Sequence, residues 1–264
     1  MGVVNVTPDS FSDGGRFLDA GAGLAHARRL IADGADILDI GGESTRPGAA
    51  PVSAADEIAR VVPLIEAIRA ESDVVVSIDT MKPAVARAAV AAGATIWNDV
   101  AALRFAPDAP EVAAELDCEV VLMHMLGEPG TMQDAPRYDD VAAEVEAFLL
   151  ARALTAMAAG VEREKIWLDP GIGFGKTPAH NLALLAALPR FVALGYPVLL
   201  GASRKRFIAA LDPLGAEAGA RLGGSLAAHL HGADAGVAAV RAHDVRETVQ
   251  ALTVWAAIGS GLQA

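Results

Sequence analysis

The chain has 264 residues and a formal net charge of −12, with 53% hydrophobic and only 5% aromatic residues. That length buries a large core as one big domain or two small ones, while so acidic a balance argues against nucleic acid or an anionic membrane surface as partner. Any anionic ligand must then be caught by a local basic cluster, and no apolar run approaches the roughly 20 residues needed to cross a bilayer.

With few aromatics, the interior must be filled by Ala, Val, Leu and Ile, which suits helices and buried parallel strands. The single cysteine, Cys118, has no partner for an intramolecular disulfide and reads as a core or helix-end filler. No charged-then-apolar leader precedes the first apolar run, so a reducing, cytoplasmic setting is expected.

Eight short apolar runs follow in chain order: Gly2 to Val6, Ile37 to Ile40, Val74 to Ile78, Thr95 to Trp97, Val120 to Met123, Ile166 to Leu168, Pro197 to Leu200 and Ala238 to Ala242. Helical patterns lie between them. Leu24, Ala27 and Ile31 share one face of a first helix that Gly34 stops. Ser53 with Asp56 is a capping signature for a helix with Ile58, Val61, Val62, Ile65 and Ile68 as its buried stripe, and Pro63 predicts a kink or a late start there. Further helices are predicted over Lys82 to Ala92, Pro110 to Leu116, Asp139 to Ala159, Pro178 to Leu194, Glu217 to Leu230 and Asp244 to Ile258. Gly93, Gly160, Gly195 and Gly232 stand where C-terminal caps are expected.

Eight strands alternating with helices over this length predict a (β/α)8 TIM barrel in a single domain, residues 1–264. A doubly wound open sheet is the runner-up. It would gather its site at one switch point, whereas here usable polar residues follow every strand. The stretch Ala35 to Gly48 shows the pattern: an apolar strand runs into a glycine-hinged loop carrying Glu43, Ser44, Thr45 and Arg46.

At the strand ends stand Asn5, Asp39, Asp79, Asn98 with Asp99, His124, Asp169, Ser203 to Lys205, and Arg241 with His243. Singly, each has a bland reading as a helix cap or a turn residue. Together they combine amides and carboxylates, which suit a heterocycle bearing amino and amide N–H groups, with Arg, Lys and Ser, which suit a phosphate or carboxylate.

The segments NVTPDSFSDGG (Asn5 to Gly15), GGESTRPG (Gly41 to Gly48), SIDT (Ser77 to Thr80), NDV (Asn98 to Val100), LMHM (Leu122 to Met125), DPGIGFGKT (Asp169 to Thr177), GASRKRF (Gly201 to Phe207) and RAHDV (Arg241 to Val245) resemble the dihydropteroate synthase family along essentially the whole chain. The resemblance implies a barrel that joins p-aminobenzoate to 6-hydroxymethyl-7,8-dihydropterin diphosphate, releasing pyrophosphate with Mg2+ assistance, and a homodimer. It implies pterin contacts at Asp79, Asn98, Asp169 and Lys205, with Met123 and Phe174 as apolar wall. It puts the pyrophosphate at Asn5, Arg241 and His243, with Asn5 as the protein ligand of Mg2+, an oxygen-seeking cation that keeps several waters. Thr45, Arg46, Pro47 and Ser203 match the p-aminobenzoate side, and Asp9 to Asp13, with Phe11, matches a closing loop. Family members usually carry residues before the first strand, where this sequence has only Met1.

A neutral arylamine is nucleophilic without a base, so catalysis is expected to act on the leaving group through Mg2+, Arg241 and His243, by the dissociative route that the resemblance implies, with Lys205, Asp9 and Arg46 as the further catalytic candidates. Two rivals remain: a methyltetrahydrofolate methyltransferase of the same barrel class, which has no need of STRPG, SRK or a long first loop, and a noncatalytic pterin-binding protein. GIGFGKT is not a phosphate loop, because the position five before Gly175 is Pro170. His229 and His231, two apart on a helix, make a poor metal pair. His124 reads as a supporting hydrogen bonder and Asp39 as support for basic residues near it.

Overall fold

The computed structural model describes residues 1–6, 16–44, 51–127 and 130–260, with the side chains of 16–20 excepted. Eight parallel strands alternate with helices. They are β1 (Gly2–Asn5), β2 (Ile37–Gly41), β3 (Val75–Asp79), β4 (Ile96–Asp99), β5 (Glu119–Met123), β6 (Ile166–Asp169), β7 (Leu199–Leu200) and β8 (Ala239–Val240). The first six pair in sequence order and the last two pair with each other. Single parallel bridges, Leu168 to Val198 and Gly2 to Ala242, join the two sheets at both edges and close the (β/α)8 barrel expected from the alternation.

Strand pleating sends alternate side chains to opposite faces. One set, including Val4, Leu38, Ile40, Val76, Ile78, Trp97, Leu122, Ile166 and Leu168, joins the main core beneath the helices. The other set points into the barrel. Its lower part is a separate apolar cluster of Ile96, Val121 and Leu199, with Met1, Ile37, Trp167 and Ala239 packed against it.

The helical ring comprises α1 (Arg16–Ala32), α2 (Ala54–Arg69), α3 (Pro83–Ala91), α4 (Ala109–Leu116), α5 (Val141–Ala159), α6 (Pro178–Ala186), α7 (Leu188–Val192), α8 (Arg206–Leu211), α9 (Leu222–Ala235) and α10 (Val245–Ser260). Ser53 caps α2 by accepting from the Asp56 N–H, and Gly34, Gly93, Gly160 and Gly195 all take positive φ just beyond helices.

Several expectations need correction. The first helix begins at Arg16, well before Leu24. Pro63 brings no late start, since α2 begins at Ala54 and carries Pro63 inside it on an exposed position. The expected helix from Pro178 to Leu194 is broken at Ala187, because Pro189 lacks the N–H a continuous helix needs and crowds the preceding turn. The segment from Glu217 opens with a short 3-10 turn, Ala218–Arg221, before α9. Gly232 lies inside α9, and Gly236, at φ +87°, is the cap. Gly232 is needed for contact instead: a Cβ there would lie 2.5 Å from Leu200 Cδ2. Helix α8 has no counterpart among the expected helices.

Candidate active site at the barrel mouth

The last inward position of each strand, or the inward position just past it, is where the chemistry changes. Asn5, Gly41, Asp79 and Asn98 are successive register partners across β1 to β4. Met123 pairs with Asp169 across β5 and β6. Gly201 and Arg241 continue the set after β7 and β8. All but Gly41 line one cavity of about 1390 Å³ at the C-terminal mouth, together with Phe174, Ser203, Lys205 and His243. Each of the proposed site residues that falls among the described residues is therefore on this wall. Asp9, Phe11, Thr45, Arg46 and Pro47 lie outside the described residues.

Arg241 organises the acidic side. Its Nε donates to Asp39 Oδ2 at 2.6 Å and its NH2 group to Asp79 Oδ2 at 2.9 Å. Asn98 Nδ2 donates to the same Asp39 oxygen at 3.1 Å. Asp39 lies within β2 and is fully buried, so it supports Arg241 from below the cavity. Burial pushes the Asp79 carboxyl up to about 7 despite the Arg241 charge beside it. Burial opposes the charged Arg241 as well, but Asp39 and Asp79 outweigh it and hold its pKa above the usual guanidinium value.

Across the mouth, Asp169 Oδ1 accepts from the Gly171 N–H at 2.7 Å. Burial raises its carboxyl, against the opposing pull of that hydrogen bond and of Lys205. Lys205 is itself pushed down to about 8 by burial and by Arg241, and its Nζ stands 4.0 Å from the centroid of the Phe174 ring, a cation–π contact. Ser203 Oγ meets His243 Nδ1 at 3.0 Å and accepts the backbone N–H of His243 at 3.1 Å. Burial and the neighbouring Arg241 hold His243 down at about 3, so its ring is neutral near pH 7. Neutral imidazole can donate or accept at the cavity wall without adding charge.

Asp99 faces the other way. Its carboxylate caps the Ala101 and Leu103 N–H groups, both at 2.7 Å, which is the bland strand-end role. His124 supports rather than lines the cavity: Lys176 Nζ meets its Nδ1 at 2.9 Å. Cys118 is buried, as a filler would be.

Sequence reasoning missed two devices. Lys82 Nζ reaches Glu43 at 2.5 Å and the fully buried Glu57 at 2.6 Å, while the other Glu43 oxygen accepts the Val52 N–H at 2.9 Å. One side chain thus ties the two sides of segment 45–50. Lys176 is the second: its motif carries the family resemblance, but only the folded loop brings the lysine itself beside His124.

Among the described residues no three His, Cys, Asp or Glu side chains gather as a metal cluster. What the mouth offers a cation is the Asn5 amide oxygen beside Gly41, where a Cβ would sit 3.7 Å from Asn5 Oδ1 and 3.6 Å from Asp79 Oδ2. An amide oxygen with a carboxylate oxygen near it suits a hard cation that completes its shell with ligand oxygens and water, which is Mg2+ chemistry.

The family profile described as Pterin binding enzyme matches residues 1–243. The dihydropteroate synthase of Escherichia coli (strain K12) is 48% identical over 254 residues, 96% of this chain and 89% of that protein. The solved structure of Xanthomonas albilineans dihydropteroate synthase with 4-aminobenzoic acid superposes with a TM-score of 0.92 at 53% identity, over 98% of this chain and 92% of the other. The same enzyme in complex with 7,8-dihydropteroate gives a TM-score of 0.89 at 50% identity, over 98% and 93%.

Proposed function

This chain belongs to the pterin-binding enzymes and, among them, to the dihydropteroate synthases, and from that premise we propose that it joins p-aminobenzoate to 6-hydroxymethyl-7,8-dihydropterin diphosphate, giving 7,8-dihydropteroate and pyrophosphate. The observation that carries the reading is the division of one cavity between two chemistries. Asp79, Asn98 and Asp169 present acceptors and an amide, while Lys205, Arg241, Ser203 and His243 present donors beside them.

In this reading Asp169 accepts two parallel N–H bonds from the aminopyrimidinone edge, and Lys205 donates to its carbonyl and ring nitrogen. Asp79 and Asn98 bond the remaining ring positions, and Met123 and Phe174 flank the ring. Arg241 and His243 stabilise the charge that grows on the departing diphosphate as the bond from the exocyclic methylene carbon to oxygen breaks. The amine nitrogen bonds that carbon and then sheds a proton. Asn5 would hold Mg2+, which supplies further positive charge to the diphosphate when bound. Ser203, with Thr45, Arg46 and Pro47, faces the p-aminobenzoate, and Asp9 and Phe11 belong to the covering loop. The family resemblance also supports a cytoplasmic homodimer.

The test is direct. Protein, Mg2+, the dihydropterin diphosphate and p-aminobenzoate are incubated, and dihydropteroate and pyrophosphate are measured in equal amounts. Ligand binding without product would favour a noncatalytic pterin binder, and methyl transfer from methyltetrahydrofolate to a corrinoid would favour the related methyltransferase.

A further inference from the structure

Lys176 is 3% exposed. Its ammonium group contacts His124 Nδ1 at 2.9 Å, His124 O at 3.3 Å and Phe174 O at 3.0 Å. Every partner is neutral. An ammonium buried without a carboxylate in contact is a costly choice, and the loop does not need it for closure. Gln133 already holds Gly173 O at 2.7 Å, Tyr138 holds Gly175 O at 2.9 Å, and Asn181 accepts the Gly173 N–H at 2.7 Å. Three neutral groups do that work on the same few residues, so the charge serves something else.

The loop itself is under tight steric control. Gly171 has φ +69°, and a Cβ there would fall 1.9 Å from His124 O; one on Gly173, at φ +86°, would fall 2.9 Å from Lys205 Cδ. The backbone of this loop therefore sets how close Phe174 comes to Lys205, and Lys176 holds the Phe174 carbonyl. We propose that Lys176 is a positioning residue for the pterin end of the cavity, one that keeps the Phe174 ring against Lys205 and, in its protonated form, favours ionised Asp169 once a ligand excludes water. Lys176 and Asp169 each favour the charged form of the other, yet burial, with Lys205 nearby, still holds Lys176 down at about 7, and burial raises Asp169. His124, held down at about 3 mainly by burial, stays neutral and free to accept.

The inference rests on the pterin reading of Asp169, and a double-mutant cycle separates the two. Calorimetric affinity for 6-hydroxymethylpterin is measured in wild type, Lys176→Met, Asp169→Asn and the double variant. Lys176→Met is expected to weaken binding about tenfold, the scale of coupling between neighbouring groups, with the KM for p-aminobenzoate unchanged. In the Asp169→Asn background the further loss should be much smaller. Unchanged affinity in folded Lys176→Met, or the same fold-loss in both backgrounds, overturns the proposal; unchanged affinity in Asp169→Asn overturns the pterin reading beneath it. Should Lys176→Met fail to fold, His124→Asn and His124→Leu decide. Asn offers an acceptor near the place of Nδ1 and Leu does not, so the first should bind the pterin as wild type and the second more weakly. Equal affinities would sink the idea.

Discussion

The inside of the barrel holds two populations that differ by two residues along the same strands. Ile96, Val121, Trp167, Leu199 and Ala239 belong to the apolar lower cluster, and the next inward positions are Asn98, Met123, Asp169, Gly201 and Arg241 on the cavity wall. The pleat treats the two sets alike. The lower set is satisfied by packing and stabilises the barrel. The upper set contains carboxylates that burial pushes upward, Asp79 to about 7 among them, and so carries a cost that a ligand can offset. Between them lie Asp39 Oδ1 and Ser77 Oγ, buried with no hydrogen-bond partner among the described residues. Parity fixes the architecture, and the last inward residue of each strand is where function is written.

Cutting into the lower set should produce the largest effect on stability alone. Ile96→Ala is expected to cost about 2–5 kcal/mol by denaturant unfolding, with pterin affinity of the folded fraction unchanged. If affinity fell in parallel, the two sets would not be separable.

The reverse is expected of Asp169→Asn. An amide opposes one of two incoming N–H groups with its own NH2, so pterin affinity should drop by about 2–3 kcal/mol. Because burial disfavours the Asp169 carboxylate, the melting temperature at alkaline pH should not fall. A less stable variant with full affinity would reverse the assignment.

A control outside both sets is His229, buried between α9 and α10 with Thr248 Oγ1 3.3 Å from its Nδ1. Burial lowers its pKa from 6.5 to about 4. A depressed folded-state pKa gives stability that is present above the unfolded value and is lost as pH falls toward the folded one. His229→Gln should therefore lose about 2 kcal/mol less than wild type between pH 7 and pH 5, by paired unfolding curves. Equal losses would show that His229 does not resist protonation.

The smallest effect belongs to the boundary. Ser77→Ala removes an unpaired buried hydroxyl and should leave stability unchanged or raise it by about 1 kcal/mol, with turnover unaltered. Destabilisation would mean that Ser77 Oγ has a partner.

Strand positions and cavity residues were legible in the sequence because both follow local rules. Apolar runs of three to five residues gave way to Asp, Asn, Gly or His at most strand ends, and the pleat did the rest. What stayed hidden was tertiary. Gly232 looked like a cap, yet its lack of a side chain serves contact with Leu200. Asp39 looked like a strand-end residue, and only register shows that it lies two residues deeper. Lys176 reaches His124 O, 52 residues away in sequence, and Glu43 accepts the Val52 N–H, contacts that only the folded chain brings about.

The barrel is fastened unevenly around its circumference. Six strands form one continuous ladder, and β7 with β8 joins it through one bridge on each side. Two seams thus run the height of the wall, and local opening has its easiest routes there. Arg241, following β8, already crosses one of them to reach Asp39 and Asp79. Asp169 and Lys205 face each other across the second, with no ion pair between them among the described residues. A molecule gripped by both would act as a rivet, so slowed amide exchange in β7 and β8 should report an occupied mouth.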